Sequence, residues 1–226
     1  MGPQNISEAW EAQKEMAKKV ILDDAFDTSF DLIGGVDVSN TPFDPEQKIF
    51  AAVVVLNYPS LEVVETQGVE DRQEFPYIPG LLGFREVPAL VRAYQALTYR
   101  PGILLVDGHG VSHPRGLGVA SHLGVVLDIP TIGVAKSVLV GKATRPLGED
   151  VGSTTPLVWK GKEIGKMVRT KKKCTPLIIS AGHRISLPSA VACVLKSLKT
   201  YRLPEPTRQA HLAANKYRKE RSLYAC

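Results

Sequence analysis

Residues 49–56, Ile-Phe-Ala-Ala-Val-Val-Val-Leu, constrain the fold more than any other stretch of this chain. Val53, Val54 and Val55 are consecutive and β-branched, so no polar residue marks a solvent face. A strand of this kind is covered on both sides, which calls for a sheet between two layers. β-like runs at 32–38 and 61–66 flank it, and the short turn Tyr58-Pro59-Ser60 joins two of the runs as an antiparallel hairpin. Past Pro76 and Pro79 the apolar period changes to helical, through Leu81, Leu82, Phe84, Leu90, Val91, Tyr94 and Leu97. Pro101-Gly102 closes that segment. A strand at 103–106, a helix at 117–127 and a strand at 131–134 follow. Later strands are expected near 157–159, 164–169 and 177–180, and helices at 189–198 and 207–221. Asn5 and Glu8 form a capping-box pattern opening a helix to about residue 19, and 23–31 is rich in turn formers. The expectation is an α/β chain: one domain over residues 1–226, with a mixed β-sheet flanked by α-helices.

Composition excludes more than it selects. With 44% hydrophobic and 23% charged residues, the chain is ordinary globular material. Its net charge of +5 suits a polyanionic partner without requiring one. Cys174, Cys193 and Cys226 form no CxxC pair, so neither a disulfide framework nor a zinc site is suggested. Pro3 and Ile6 argue against myristoylation at Gly2, and a terminal Cys226 cannot be a prenylated CaaX cysteine. No apolar run reaches the ~20 residues of a membrane helix, and no signal peptide pattern opens the chain. No membrane association, a monomeric state and a cytoplasmic location, with nucleus or nucleolus as alternatives, are expected.

The chemistry concentrates on three acids in apolar surroundings. Asp37 ends the first strand in Gly34-Gly35-Val36-Asp37-Val38-Ser39. Asp107 ends the fourth in Leu104-Leu105-Val106-Asp107-Gly108. Glu86 lies early in the intervening helix, in Phe84-Arg85-Glu86. A lone carboxylate in such a setting is costly to desolvate, and three together repel; a divalent cation relieves both. Hard oxygen ligands favour Mg²⁺, with Mn²⁺ able to substitute, over zinc. Any one strand-end Asp is more often a turn or cap residue, so the weight rests on the joint placement. His109 and His113 follow in Gly108-His109-Gly110-Val111-Ser112-His113-Pro114-Arg115. Gly110 and Pro114 disfavour the helix that would align them as zinc ligands, so a loop with backbone- or phosphate-bonded histidines is expected.

These residues resemble the endonuclease V family over roughly residues 30 to 215. The motifs are Gly35-Val36-Asp37-Val38-Ser39, Pro76-Tyr77-Ile78-Pro79-Gly80, Phe84-Arg85-Glu86, Val106-Asp107-Gly108 with His113-Pro114-Arg115, Gly133-Val134-Ala135-Lys136, Gly182-His183, and Pro204-Glu205-Pro206-Thr207-Arg208 with His211. The resemblance implies a ribonuclease H-like fold and hydrolysis of the second phosphodiester 3′ to inosine, leaving 3′-hydroxyl and 5′-phosphate ends. By motif, it implies Asp37, Glu86, Asp107, Lys136 and His211 as catalytic residues, with Asp37, Glu86 and Asp107 holding the metal. His211 is expected to order the site or its water, and Lys136 to meet the scissile phosphate or the attacking water. Tyr77 resembles the family's wedge, stacking where the expelled base has left. Gly80, Leu82, Gly108, Gly110, His113, Gly118, Val119 and Leu139 are expected to line the pocket for that base. Backbone groups there would tell hypoxanthine from adenine, since an unpaired buried donor or acceptor costs about 1–3 kcal/mol.

The partner is then inosine-containing single-stranded RNA, deoxyinosine-containing DNA, or both. The stretches at 53–64, 85–88 and 182–187 look more like the animal, RNA-directed members, whereas His211 and Pro79 look more like the bacterial, DNA-cutting ones. RNA is the preferred expectation. An actin-like sugar kinase or ATPase fold would need a second copy of the unit, which this chain lacks. A non-catalytic inosine reader would not need three intact acids. Two basic clusters, Lys171-Lys172-Lys173 and Lys216, Arg218, Lys219 and Arg221, are either phosphate contacts or a solvated turn and helix end.

Overall fold

The computed structural model describes residues 5–25, 30–41, 44–73 and 75–223. Gly2, Pro3 and Cys226, and part of the turn-rich 23–31 stretch, lie outside the described residues. Among the described residues the elements run in the order α1 (Ile6–Ala17), β1 (Leu32–Asn40), β2 (Lys48–Asn57), β3 (Val63–Arg72), α2 (Leu82–Gln95), β4 (Ile103–Asp107), α3 (Val119–Leu127), β5 (Thr131–Ala135), β6 (Lys142–Ala143), β7 (Thr154–Trp159), β8 (Lys162–Val168), β9 (Leu177–His183), α4 (Leu187–Lys196) and α5 (Glu205–Leu223). One nine-stranded sheet has the order β3-β2-β1-β4-β5-β9-β8-β7-β6. Neighbours β1, β4 and β5 are parallel, and the other pairings are antiparallel. The mixed sheet with helices on both faces is the expected architecture.

Strand β2 shows why both faces are covered. Every residue from Ile49 to Leu56 is buried. Ile33, Val54, Leu56, Ile103, Leu105 and Ile132 face a core shared with α4 and α5, through Ala190, Val194 and Ala210. Val36, Val53, Val55, Leu104 and Val106 face the other layer, where Val87, Leu90 and Ala93 of α2 and Leu123 of α3 close over them. The period of two in a strand sends Leu104 and Leu105 to opposite layers. Truncating either fully buried leucine to alanine removes about 2–5 kcal/mol of stability.

Several boundaries differ from expectation. β3 runs to Arg72 rather than ending at 66, because as the sheet-edge strand it carries few apolar residues to mark its length. Leu61 sits before it with φ +58°, in the connection rather than the strand. β6 is two exposed residues long and has no apolar signal. α2 keeps Pro88 in its second turn and ends at Gln95. α1 begins as the capping box implies: Asn5 accepts from the Glu8 N–H at 2.9 Å, and the Asn5 amide donates to the Glu8 carboxylate at 2.8 Å.

Candidate functional site

The sheet register assembles the site. Val36 on β1 pairs with Val106 on the parallel neighbour β4, so the following residues, Asp37 within β1 and Asp107 at the end of β4, lie side by side. Both belong to the alternation set of Ile33 and Leu105, which faces α5. Gly35 and Ser39 share that face. A Cβ on Gly35 would stand 1.9 Å from the Pro206 carbonyl oxygen, so only glycine lets the start of α5 lie against β1 there. Glu205 and Arg208 fix that first helical turn at 2.6 Å, and Gln209 adds a donor to the Glu205 carboxylate at 2.7 Å. The helix thereby brings His211 over Asp37, with Nδ1 2.7 Å from Asp37 Oδ2.

Asp37, Asp107 and His211 each offer a ligand atom within 4.8 Å of the others. Asp37 Oδ1 also accepts from the Val38 N–H at 2.8 Å. Lys136, one residue past β5, places its ammonium on Asp107 Oδ2. Burial raises the Asp37 carboxyl to about 6, with the Asp107 charge adding to it, while His211, the Val38 N–H and Lys136 oppose the rise. Two hard carboxylates beside an imidazole suit a hard divalent cation.

Glu86 departs from the expected ligand trio. It feels the charges of both aspartates, and burial with those charges pushes its carboxyl up to about 8, although part of the residue remains accessible. The close three-residue group nevertheless contains His211 in its place. The reason is topological. Asp37 and Asp107 face the α5 layer, whereas Glu86 rides on α2 in the opposite layer and approaches from across the strand ends.

Most of the expected pocket residues converge beyond β4. The Gly118 N–H donates to the Gly110 carbonyl at 3.0 Å, and Ala120 N–H to the His109 carbonyl at 3.0 Å. The Gly110 N–H meets Ser180 Oγ at 2.9 Å, and Ser112 Oγ lies 2.9 Å from the same atom. Val119 is buried against Gly108. His109 Nδ1 lies 2.9 Å from Ser112 Oγ, and His113 Nδ1 accepts from the Arg115 N–H at 3.2 Å, so both histidines are tied within their own loop. Burial, with the Arg115 charge, lowers His113 to about 4 and keeps it neutral. Gly80 has φ +81°, and its carbonyl accepts from Gln13 at 2.8 Å and Arg115 at 2.9 Å, joining the Pro76–Gly80 segment to this loop. Leu82 and Leu139 are exposed instead, on the first turn of α2 and in the stretch after β5. Tyr77 is 70% exposed, with the Arg85 guanidinium 5.4 Å from its ring centre.

Sequence reading missed Gln13, Ser39 and Asn215. Gln13 is buried on the stripe that starts at Ala9, and its amide also reaches the Leu117 carbonyl at 3.1 Å. A polar residue at i+4 from a buried alanine was the available signal. Of the basic clusters, Lys172 pairs with Asp150 at 2.9 Å, Lys171 donates to the Thr200 carbonyl at 3.1 Å, and Arg218 Nε donates to Ser39 Oγ at 2.9 Å. A separate groove of about 1410 Å³ runs between α1 and α2, lined by Pro76, Phe84, Arg85 and His122; the two aspartates are not in its wall. Among the described residues, no helix is long and apolar enough to cross a membrane.

The family model described as Endonuclease V matches residues 14–212. Endonuclease V of Protochlamydia amoebophila is 54% identical over 218 residues, covering 96% of this chain and 92% of that one. The crystal structure of endonuclease V from Streptomyces avermitilis superposes with a TM-score of 0.91 at 39% identity, covering 97% of this chain and 96% of that one. Endonuclease V of Ciona intestinalis, solved with a 24mer DNA containing an inosine followed by a ribo-adenosine, gives a TM-score of 0.85 at 30% identity, covering 96% of this chain and 99% of that one. The ribonuclease H-like sheet, the acidic group at its strand ends and these matches agree: the chain belongs to the endonuclease V family of nucleases.

Proposed function

We propose that this single-domain enzyme is a Mg²⁺-dependent endonuclease that hydrolyses the second phosphodiester 3′ to inosine, leaving 3′-hydroxyl and 5′-phosphate ends. The observation that carries the reading is the side-by-side placement of Asp37 and Asp107 on the adjacent parallel strands β1 and β4, with His211 within ligand distance of both. Asp37 and Asp107 would hold the cation, with Glu86 contributing from the opposite layer. The cation, when bound, supplies positive charge that polarises the phosphate and lowers the pKa of water. Lys136, whose ammonium pairs with Asp107, would meet a phosphate oxygen of the bound strand. His211 orients Asp37. Tyr77, exposed between two prolines, stacks where the inosine base leaves its neighbours. The loop around Gly108, Gly110, Gly118 and Val119, tied by Arg115 to the Gly80 carbonyl, presents backbone groups to the expelled base.

Single-stranded RNA is the proposed preferred strand, with the sugar read at the nucleotide 3′ to inosine, since the 2′-hydroxyl is what distinguishes the two backbones there. The Ciona relative was solved with an inosine followed by a ribonucleotide, which supports a role for that position. A second reading, repair of deoxyinosine in DNA, is favoured by the 54% identity to a bacterial relative. Single-turnover cleavage of matched all-RNA, all-DNA and single-ribose inosine strands at fixed Mg²⁺ and salt separates them. The single-ribose strand is expected to recover much of the RNA rate, with DNA cut slowly. Equal rates for all three would give the DNA reading equal standing, and binding without any cleavage would leave a non-catalytic inosine reader.

A further inference from the structure

Asn215 stands one turn beyond His211 on α5, and its amide has only one consistent orientation. Its Nδ2 lies 2.9 Å from the His211 main-chain carbonyl, which can only accept. Nδ2 is therefore the amino end, and Oδ1 accepts from the Ser39 hydroxyl at 2.9 Å. The same amino group lies 3.2 Å from His211 Nε2. An amino group there requires Nε2 to be the acceptor, so in the neutral ring the proton is on Nδ1. Nδ1–H then donates to Asp37 Oδ2. Ser39 is set in turn by Arg218, whose Nε donates to its oxygen. Donors and acceptors alternate without conflict from Arg218 through Ser39, Asn215 and His211 to Asp37. Ser39 and Asp37 come from the same strand face, because Ser39 lies two residues after Asp37 on β1.

We propose that Asn215 is a positioning residue of the endonuclease site: with Ser39 it holds His211 as the Nδ1–H tautomer, so that the imidazole orients Asp37 as a hydrogen-bond donor and is not a ligand of the cation. Both ring nitrogens are engaged, one by Asp37 and one by Asn215. Asp37 Oδ2 keeps a second lone pair and Oδ1 is held by Val38 N–H, so the carboxylate presents a fixed edge. This assignment rests on reading Asp37 and Asp107 as the hydrolytic centre. Partners that orient ligand groups in this way typically change metal affinity or activity about 10- to 100-fold when removed.

The test is a long-range proton–nitrogen NMR spectrum of the full chain labelled at histidine, without divalent cation, with His211 assigned by comparison with His211→Gln. The native chain should show His211 as the Nδ1–H tautomer. In Asn215→Ala the Nε2–H form should become substantial, and the Mg²⁺ concentration for half-maximal cleavage should rise about 10- to 100-fold. A native His211 in the Nε2–H form would overturn the proposal, as would an Asn215→Ala spectrum with the tautomer unchanged. The native spectrum decides the first point whether or not the variant folds. A native chain that cuts no inosine strand would instead end the nuclease reading, leaving the tautomer measurement to stand by itself.

Discussion

At pH values between their unfolded and folded pKa values, Glu86 and Asp37 bind more protons in the folded chain than in the unfolded one. Burial and mutual repulsion lift Glu86 from 4.5 to about 8 and Asp37 from 3.8 to about 6. A carboxyl raised in this way contributes stability at low pH and loses it as pH rises toward the folded value, because the native state then binds more protons than the unfolded one. Without divalent cation, the melting temperature should therefore fall between about pH 5 and pH 8. Glu86→Gln, which keeps the shape without the charge, should flatten that fall and melt higher than the native chain at pH 8. The gain should be about 2–4 °C for each kcal/mol of repulsion relieved. Thermal melts across that range check this, and a Glu86→Gln melt below native at pH 8 would contradict it. Tyr77 presents the opposite case, a large ring left in solvent. Tyr77→Ala should weaken binding to a short inosine strand by about 1–3 kcal/mol, roughly 5- to 150-fold in Kd. Unchanged affinity in a titration would remove the wedge role.

At the scale of elements, α5 is the part that completes the site, and its seat is a single missing side chain. Gly35→Ala would drive a methyl into the Pro206 carbonyl, a backbone atom that cannot swing aside. Separating α5 from β1 costs overpacking strain of about 1–3 kcal/mol and moves His211 off Asp37. Denaturant unfolding should show the loss, with cleavage reduced further than stability alone accounts for. Full activity in Gly35→Ala would show that His211 does not need that seat. The strands that build the site were legible because β1, β2, β4 and β5 are apolar enough to announce themselves. Asp37 and Asp107 were legible for the same reason, as charges at the ends of such runs. The edges were not: β3 and β6 carry too little apolar signal, since an edge strand is only half covered. Nor could spacing show that Glu86 belongs to the opposite layer from the aspartates, because layer membership is fixed by how α2 packs on β2 and not by its own period. The Ser39–Asn215 link was invisible for a similar reason, joining a strand to a helix 176 residues away.

The whole molecule is a sheet whose parallel centre brings Asp37 and Asp107 side by side, with the Pro76–Gly80 segment and the loop after β4 near them and α5 packed across β1. On the proposed function, this assembly cuts inosine-containing strands through Asp37 and Asp107. The most direct measurement is single-turnover cleavage of an end-labelled inosine RNA strand with Mg²⁺, with the product ends mapped, for the native chain and for Asp107→Ala. The native chain should cut at the second phosphodiester 3′ to inosine and spare the matched adenosine strand, while Asp107→Ala should still bind the inosine strand but leave it whole. Cleavage by Asp107→Ala at the native rate, or equal cutting of the adenosine strand, would rule out an inosine-directed site built on Asp107.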